Sequence, residues 1–401
     1  MTTCTILGLG YIGLPTSLLI ANSGHSVIGI DINEEVINKL KQGKSHLSEK
    51  GIEELLQSTL RNKSLCFRKE ISKSEIFIIA VPTPFINKKE GIPKPNTEFV
   101  FNAAKSISKV IEKNNLIILE STCPVGTTEK VAEIITENSG LSNEEFDLCY
   151  CPERVLPGNI IKELINNDRV IGSENVDSAN KCKNFYETFC TGEIVTTTSK
   201  TAELVKLAEN SYRDVNIAFA NELSIICSEL AINPYKLIDI ANNHPRVNIL
   251  KPSCGVGGHC IAVDPWFIAS EFEKSSKLIQ IAREVNLFKT EWCIEKIKKI
   301  ASKIQIEKNI KPTIGCLGIT YKPDVDDLRE SPALKINNKL IEEGFKVMTC
   351  EPNINQNFEI PLWELEEVLI KSDLLVILIS HKEFKKIDFK NYNYIDLCGI
   401  A

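Results

Sequence analysis

Thr5-Ile6-Leu7-Gly8-Leu9-Gly10-Tyr11-Ile12-Gly13 decides the fold. Thr5–Leu9 reads as a buried strand, and Gly8, Gly10 and Gly13 form G-x-G-x-x-G where that strand turns into an apolar helix reaching about Ser23. The first glycine permits the tight turn, the second lets backbone approach a pyrophosphate, and the third lets helix and strand pack closely. Free N–H groups at the helix start then face the anion. Gly24 ends the helix and Val27–Ile30 forms a second strand. Strand, helix and strand fill about 30 residues, as a parallel crossover requires. Asp31 closes the second strand. A carboxylate there accepts hydrogen bonds from ribose hydroxyls and repels a 2′-phosphate, so NAD is predicted rather than NADP. A glycine turn beside a surface aspartate is the plainer alternative; the strand–turn–helix context argues against it.

Outward from this unit, Ile76–Val81, Leu116–Glu120 and Phe146–Cys151 read as short strands rich in β-branched residues. Helical stretches separate them, Asn96–Lys113 most clearly, and the alternation implies a parallel sheet with helices on both faces. Near residue 200 the pattern changes. Thr201–Ile232 reads as one long helix, with Leu204, Ala208, Tyr212, Val215, Phe219, Leu223, Ile226 and Leu230 at steps of three and four. Helical stretches continue to about 304, which predicts an all-helical middle domain. Alternation resumes with strand Thr313–Leu317, helix Ser331–Glu343, and strands Phe345–Cys350 and Leu374–Ile379. The fold class is therefore α/β: two doubly wound units joined by a central helical domain. The long helix suggests a dimer, because its apolar stripe exceeds what one partner helix would cover.

Composition fits this reading. Of 401 residues, 43% are hydrophobic and 25% charged, the usual balance of a soluble globular chain. A net charge of −6 lacks the basic footprint of a nucleic-acid binder. The mean hydropathy of −0.06 is far from that of a membrane protein. Thr5–Ala21 could pass for a secretory signal, but no Lys or Arg precedes it and glycines and Pro15 interrupt it. A cytoplasmic location is expected. The 14 cysteines are irregularly spaced, and Cys149 with Cys151 has no second pair to complete a zinc site. Reduced, mostly buried thiols and no metal are expected.

Several residues suit chemistry. Gly255-Val256-Gly257-Gly258-His259-Cys260 places a thiol directly after a glycine-rich loop able to turn N–H groups toward an oxyanion. Asp264, four residues on, could orient a neighbour or take part in proton transfer. A buried cysteine beside a turn is the competing reading. Lys206, Asn210 and Arg213 share one face of the long helix, roughly opposite the Leu204 stripe, and suit a polar substrate; a solvated face would look the same. His244-Pro245-Arg246 lies in a loop, where its charge could reach a phosphate. Pro152-Glu153-Arg154 and Ser121-Thr122 follow strand ends, where open α/β sheets place ligands.

Six strings occur in order: Gly-Leu-Gly-Tyr-Ile-Gly (8–13), Val-Pro-Thr-Pro (81–84), Glu-Ser-Thr (120–122), Cys-Pro-Glu-Arg-Val-Leu-Pro-Gly (151–158), Gly-Val-Gly-Gly-His-Cys (255–260) and Tyr-Lys-Pro-Asp-Val-Asp-Asp-Leu-Arg-Glu-Ser-Pro (321–332). Together they resemble the UDP-glucose/GDP-mannose dehydrogenase family over essentially the whole chain. The strings at 213–223, 244–248 and 259–268 most resemble the branch that oxidises UDP-N-acetyl-D-mannosamine. The resemblance implies a Rossmann NAD domain over 1–198, a helical dimerisation domain over 199–306 and a UDP-sugar domain over 307–401. It also implies two NAD-linked oxidations of the sugar C6 alcohol to a carboxylate.

The resemblance assigns roles residue by residue. Cys260 would attack the C6 aldehyde to give a thiohemiacetal, which is oxidised to a thioester that water hydrolyses. Lys206, Asn210 and Asp264 match positions that handle the proton and oxyanion, Glu153 one that assists water or the thioester, and Thr122 one near the cofactor and a water. Tyr11, Ile12, Asp31, Thr83, Thr122 and Arg329 match NAD contacts, beside Gly8, Gly10 and Gly13. Arg154, Val155, Lys206, Asn210, Arg213, His244, Arg246, Gly257, Tyr321 and Lys322 match nucleotide-sugar contacts, some of which could act across a dimer.

The sequence also departs from the family. Pro252-Ser253-Cys254-Gly255 stands where relatives carry Pro-Gly-Pro-Gly, Cys123 where many carry Ser or Ala, and Cys398 where a Lys or Arg is frequent. UDP-N-acetylglucosamine or UDP-glucose as substrate, a single-step hydroxyacid dehydrogenase, and a non-catalytic NAD or nucleotide-sugar binding protein stay open as alternatives.

Overall fold

Strands buried on both faces read as continuous apolar runs, and Ile-Phe-Ile-Ile (76–79) and Leu-Ile-Ile-Leu (116–119) are such runs, buried at every residue. The computed structural model describes residues 2–47, 49–86, 91–155, 158–354 and 360–401. The chain divides into two compact units, Met1–Ala208 and Glu209–Ala401.

The first unit begins with β1 (Thr3–Leu7), α1 (Gly13–Asn22), β2 (Ser26–Ile30), α2 (Glu34–Lys41), α3 (Ile52–Arg61), β3 (Leu65–Arg68) and β4 (Ile76–Ile79). A small hairpin, β5 (Phe85–Ile86) and β6 (Lys94–Pro95), precedes α4 (Glu98–Ile107), β7 (Leu116–Leu119), α5 (Thr127–Ser139) and β8 (Asp147–Tyr150). The unit continues with α6 (Ile160–Asn166), β9 (Arg169–Gly172), α7 (Val176–Tyr186) and β10 (Ile194–Thr197). Its sheet has the order β10-β9-β8-β7-β4-β1-β2-β3. The run β3-β2-β1-β4-β7-β8 is the doubly wound order, with the switch point between β1 and β4.

The expected parallel sheet needs one correction. β9 pairs antiparallel with β8, so the far edge reverses. β3, β9 and β10 carry no strong alternation, and sequence reading missed them. β1 runs Thr3–Leu7, not Thr5–Leu9, because Gly8 takes φ +94° and turns the chain out of the sheet. Helix α4 is likewise shorter than the expected Asn96–Lys113. Helix α1 has every residue buried except Asn22, which places it between layers rather than on a surface.

α8 (Ser199–Glu229) runs on from the first unit. Its polarity is inverted. The apolar stripe is exposed at Tyr212 (70%), Phe219 (53%) and Ile226 (45%), while Glu203, Lys206, Asn210, Asp214, Asn221 and Ser224 are buried. Each of these buried groups is hydrogen-bonded, as burial demands. The Glu203 carboxylate accepts from the N–H groups of Gly126 and Thr128 (2.6 and 2.8 Å), capping the start of α5.

The second unit adds α9 (Pro234–Ala241), α10 (Asp264–Glu271), α11 (Lys277–Lys308), β11 (Thr313–Leu317), α12 (Pro332–Glu342) and β12 (Lys346–Cys350). It closes with α13 (Leu365–Lys371), β13 (Leu374–Ile377) and β14 (Tyr394–Asp396). Its parallel sheet, β12-β11-β13-β14, switches direction between β11 and β13. Asp214 of α8 pairs with Arg283 of α11 at 2.6 Å, both fully buried, and Asn286 donates to the same carboxylate oxygen at 2.8 Å. Removing one member of a buried pair leaves the other charge uncompensated. Arg283→Met is expected to cost about 3–5 kcal/mol in denaturant unfolding, and adding Asp214→Asn to it should recover most of that loss.

Candidate active site

The glycine fingerprint is built as its spacing requires. At Gly8 a Cβ would lie 2.5 Å from the Ala80 carbonyl oxygen, just past β4, and at Gly13 it would lie 1.9 Å from the Gly8 oxygen. Gly10 has open space where a side chain would begin, so backbone can approach a ligand there. The Ile12 N-cap of α1 makes no side-chain capping bond, which leaves the helix N–H groups for an anion. Asp31 accepts from Leu9 N–H (2.9 Å) on one oxygen and Asn33 N–H (2.8 Å) on the other. The carboxylate is thus fixed against the glycine loop, and the remaining lone pair on each oxygen suits a ribose hydroxyl. Tyr11 and Ile12, both half-buried, complete the turn. These features fit NAD.

The loops after β4 and β7 are laced together. Thr83 Oγ1 donates to the Thr122 carbonyl at 2.6 Å, and Ser121 Oγ to the Val81 carbonyl at 2.7 Å. The neighbouring Glu120 turns inward instead. It accepts from Tyr186 at 2.8 Å, and burial raises its carboxyl despite Arg169 nearby. Beyond β8, Lys206 Nζ donates to the Glu153 carbonyl (2.6 Å) and to Glu153 Oε1 (3.3 Å). Glu153 Oε2 accepts from Val155 N–H at 2.8 Å. Arg154 is held by its backbone, whose carbonyl accepts from Asn167, and its guanidinium donates to the Asp168 carbonyl.

In the second unit, Asn210 Nδ2 donates to Asp264 Oδ2 at 2.6 Å, with both side chains buried. Cys260 is half-buried at the turn leading into α10, and its carbonyl accepts from the N–H groups of Val263 and Asp264. The preceding loop lies tightly on residues 321–332. A Cβ at Gly257 would meet the Glu330 oxygen at 2.5 Å, one at Gly258 the Tyr321 ring at 2.8 Å, and Gly258 N–H donates to the Arg329 carbonyl. Tyr321 and Lys322 follow the end of β11 at the second switch point, where doubly wound sheets bind ligands. The Arg329 guanidinium grips Asp327 with three bonds of 2.6 to 3.1 Å. Burial pushes the Asp327 carboxyl up, but those bonds outweigh it and hold it low.

Not every expected residue is gathered in. Arg213, His244 and Arg246 are exposed, so Arg213 does not share the buried environment of Lys206 and Asn210. Sequence reasoning missed the support beneath the thiol loop. Asn221 accepts from Ser253 N–H (2.8 Å) and donates to Asn286, while Thr290 Oγ1 donates to the Cys254 carbonyl. Its signal was a polar stripe on α8 at the same spacing as the apolar one. Among the described residues no group of three metal-ligating side chains occurs.

A glycine fingerprint with a strand-end aspartate, and a thiol four residues before the carboxylate of a buried amide–carboxylate pair, fit an NAD-linked dehydrogenase with a candidate cysteine nucleophile. Residues 2–190 match the NAD binding domain of the UDP-glucose/GDP-mannose dehydrogenase family, 200–287 its central domain and 315–395 its UDP binding domain. The chain belongs to that family. It is 45% identical over 409 residues to a UDP-N-acetyl-D-mannosamine dehydrogenase of Campylobacter jejuni, covering 98% of both chains. It is 46% identical over 383 residues to one of Methanocaldococcus jannaschii, covering 96% of this chain and 86% of the other. The solved UDP-D-ManNAc dehydrogenase of Pyrococcus horikoshii superposes with a TM-score of 0.91 at 36% identity, covering 100% and 96%. Among the described residues no helix is long and apolar enough to cross a membrane.

The backbone before Tyr321 hangs on Glu351. Its Oε2 accepts from the N–H groups of Ile319 (2.8 Å) and Thr320 (3.2 Å), and meets His381 Nε2 at 3.1 Å. Burial pushes this carboxyl up, yet the hydrogen bonds from His381 and the backbone hold it below its ordinary value. The folded state therefore binds the proton less readily than the unfolded chain. The resulting stability is full above the unfolded pKa of about 4.3 and is lost as pH falls through the folded one. Denaturant midpoints measured from pH 6 downward should drop in acid, and Glu351→Gln should flatten that drop.

Proposed function

We propose that the chain oxidises the C6 hydroxyl of UDP-N-acetyl-D-mannosamine to the carboxylate in two steps, giving UDP-N-acetyl-D-mannosaminuronate. The observation that carries the reading is the Cys260 thiol on its glycine-rich loop, four residues before the Asp264 that grips Asn210. Both relatives quoted above bear the name of this activity, which supports the choice of sugar. A relative from Ralstonia nicotianae, 41% identical, is named for an N-acetyl-D-galactosaminuronic acid, so an N-acetylated sugar also fits the wider set.

NAD, when bound at Gly8–Gly13, Asp31, Thr83 and Thr122, with Arg329 as a further contact, supplies the hydride-accepting chemistry of both oxidations. Lys206 and Asn210 hold the C6 oxygen and, with Asp264, manage its proton. Cys260 Sγ adds to the C6 aldehyde, forming a thiohemiacetal. Its oxidised form is a thioester, whose carbon–sulfur bond breaks as water adds, releasing the carboxylate and restoring the thiol. Glu153 and Thr122 orient that water. Arg154, Val155, Arg213, His244, Arg246, Gly257, Tyr321 and Lys322 bind the nucleotide-sugar. The division of labour follows domains at 1–198 (NAD), 199–306 (helical) and 307–401 (UDP-sugar), in the cytoplasm.

The exposed stripe of α8 supports a homodimer. Tyr212, Phe219 and Ile226 are exposed along it, and soluble monomers rarely leave large apolar faces uncovered. Light scattering should give twice the chain mass, and Phe219→Asp should shift it toward the monomer.

NADH released per UDP-N-acetylmannosamine consumed is the direct test of the reaction. Two per sugar with a carboxylate product is expected; one would mean that oxidation stops at the aldehyde. Cys260→Ala should abolish acid formation, and full turnover in that variant would sink the mechanism. Initial rates on UDP-N-acetylglucosamine and UDP-glucose should fall well below that on the mannosamine sugar.

A further inference from the structure

The second unit contains a cavity of ≈ 190 Å³ whose wall includes Ser224 and Ser228 of α8, Lys289, Trp292 and Lys296 of α11, and Tyr394 of β14. No residue assigned above to the reaction lines it. Steps of three and four on α11 put Lys289, Trp292 and Lys296 on one face. Both ammonium groups sit over the same indole, Lys289 Nζ 4.1 Å and Lys296 Nζ 4.9 Å from its centroid. Each donates to one serine hydroxyl, Lys289 to Ser224 at 2.7 Å and Lys296 to Ser228 at 3.0 Å.

Two cations are thus crowded onto one ring, one of them buried and the other half-buried. Among the described residues neither forms an ion pair. Asp396 and Ala401 also lie on the cavity wall, neither paired with these lysines, and the Asp396 carboxylate is already engaged. Its oxygens accept from the N–H groups of Cys398, Gly399, Ile400 and Ala401. Burial lowers both lysines from their ordinary value, as expected of cations without a counter-ion. An indole face attracts a cation but does not neutralise it.

We propose that this cavity binds a phosphate-sized oxyanion, as free phosphate or as the head of a small phosphomonoester, between Lys289 and Lys296. Lysines act on phosphate as point charges, whereas planar carboxylates are matched best by the arginine fork, which this cavity lacks. Pro252 also lines the cavity, and its neighbour Ser253 begins the loop that carries Cys260. An occupied site would therefore adjoin the base of that loop.

The test is titration of the full chain with inorganic phosphate at constant ionic strength, reading the unfolding temperature, followed by the same titration with glycerol phosphate. A saturable rise is expected for at least one of the two, and which one identifies the source. Lys289→Met and Lys296→Met should each weaken that response at least tenfold. Arg246→Ala, which removes a cation assigned to the nucleotide-sugar, should leave it unchanged. Lys296 is half-buried, so its variant keeps the test decisive should Lys289→Met fail to fold. No saturable rise with either anion, an undiminished rise in the folded lysine variants, or loss in Arg246→Ala alone would overturn the proposal.

Discussion

α8 depends on a constraint that runs against the usual amphipathic rule. A polar group taken out of water costs several kcal/mol unless a partner meets it. This helix buries a row of such groups and leaves its apolar row outside. Five of the buried groups each fix something else. Glu203 caps α5, Lys206 holds the segment after β8, and Asn210 meets the first residue of α10. Asp214 draws in Arg283, and Asn221 carries the start of the thiol loop. Residues assigned to chemistry and residues assigned to support thus lie on the same helix.

The second unit uses the same economy of backbone capture. Glu351 fixes the chain just before Tyr321 and Lys322, and Ser331 Oγ donates to the Ile319 carbonyl while capping α12. The glycine-rich loop then lies where side chains at 257 and 258 would collide with that segment. The sequence departures at 253 and 254 find their place here. Ser253 Oγ donates to the Gly255 carbonyl at 2.6 Å, and the Cys254 side chain joins the core beneath the sheet. A side-chain hydrogen bond and an apolar anchor thus fix this stretch of the loop.

Much of this was legible in the residues. Glycine spacing, a strand-end aspartate and buried runs such as 76–79 report local requirements, so the doubly wound half followed from them. The strands β3, β9 and β10 did not: each is only four residues long, β3 and β10 are edges that need only half their residues apolar, and Ile194-Val195-Thr196-Thr197 shows no clear period. The inverted face of α8 was hidden for a different reason. Periodicity identifies two opposite stripes but not which one meets the protein, and only the partners of Glu203, Asp214 and Asn221 decide it. Arg213 shows the limit of spacing, since one helical turn beyond Asn210 its side chain is already in solvent. The motif strings placed Cys260, which spacing alone would have left as an ordinary buried thiol.

Eleven of the 14 cysteines are buried, leaving Cys66, Cys260 and Cys398 in partial contact with solvent. Burial pushes Cys151, Cys316 and Cys350 up to about 12, so their thiolates are scarce at neutral pH. The chain is rich in sulfur yet poor in reactive sulfur. Electrophiles and peroxides meet few attackable atoms on it, and a covalent probe would discriminate among its thiols chiefly by depth.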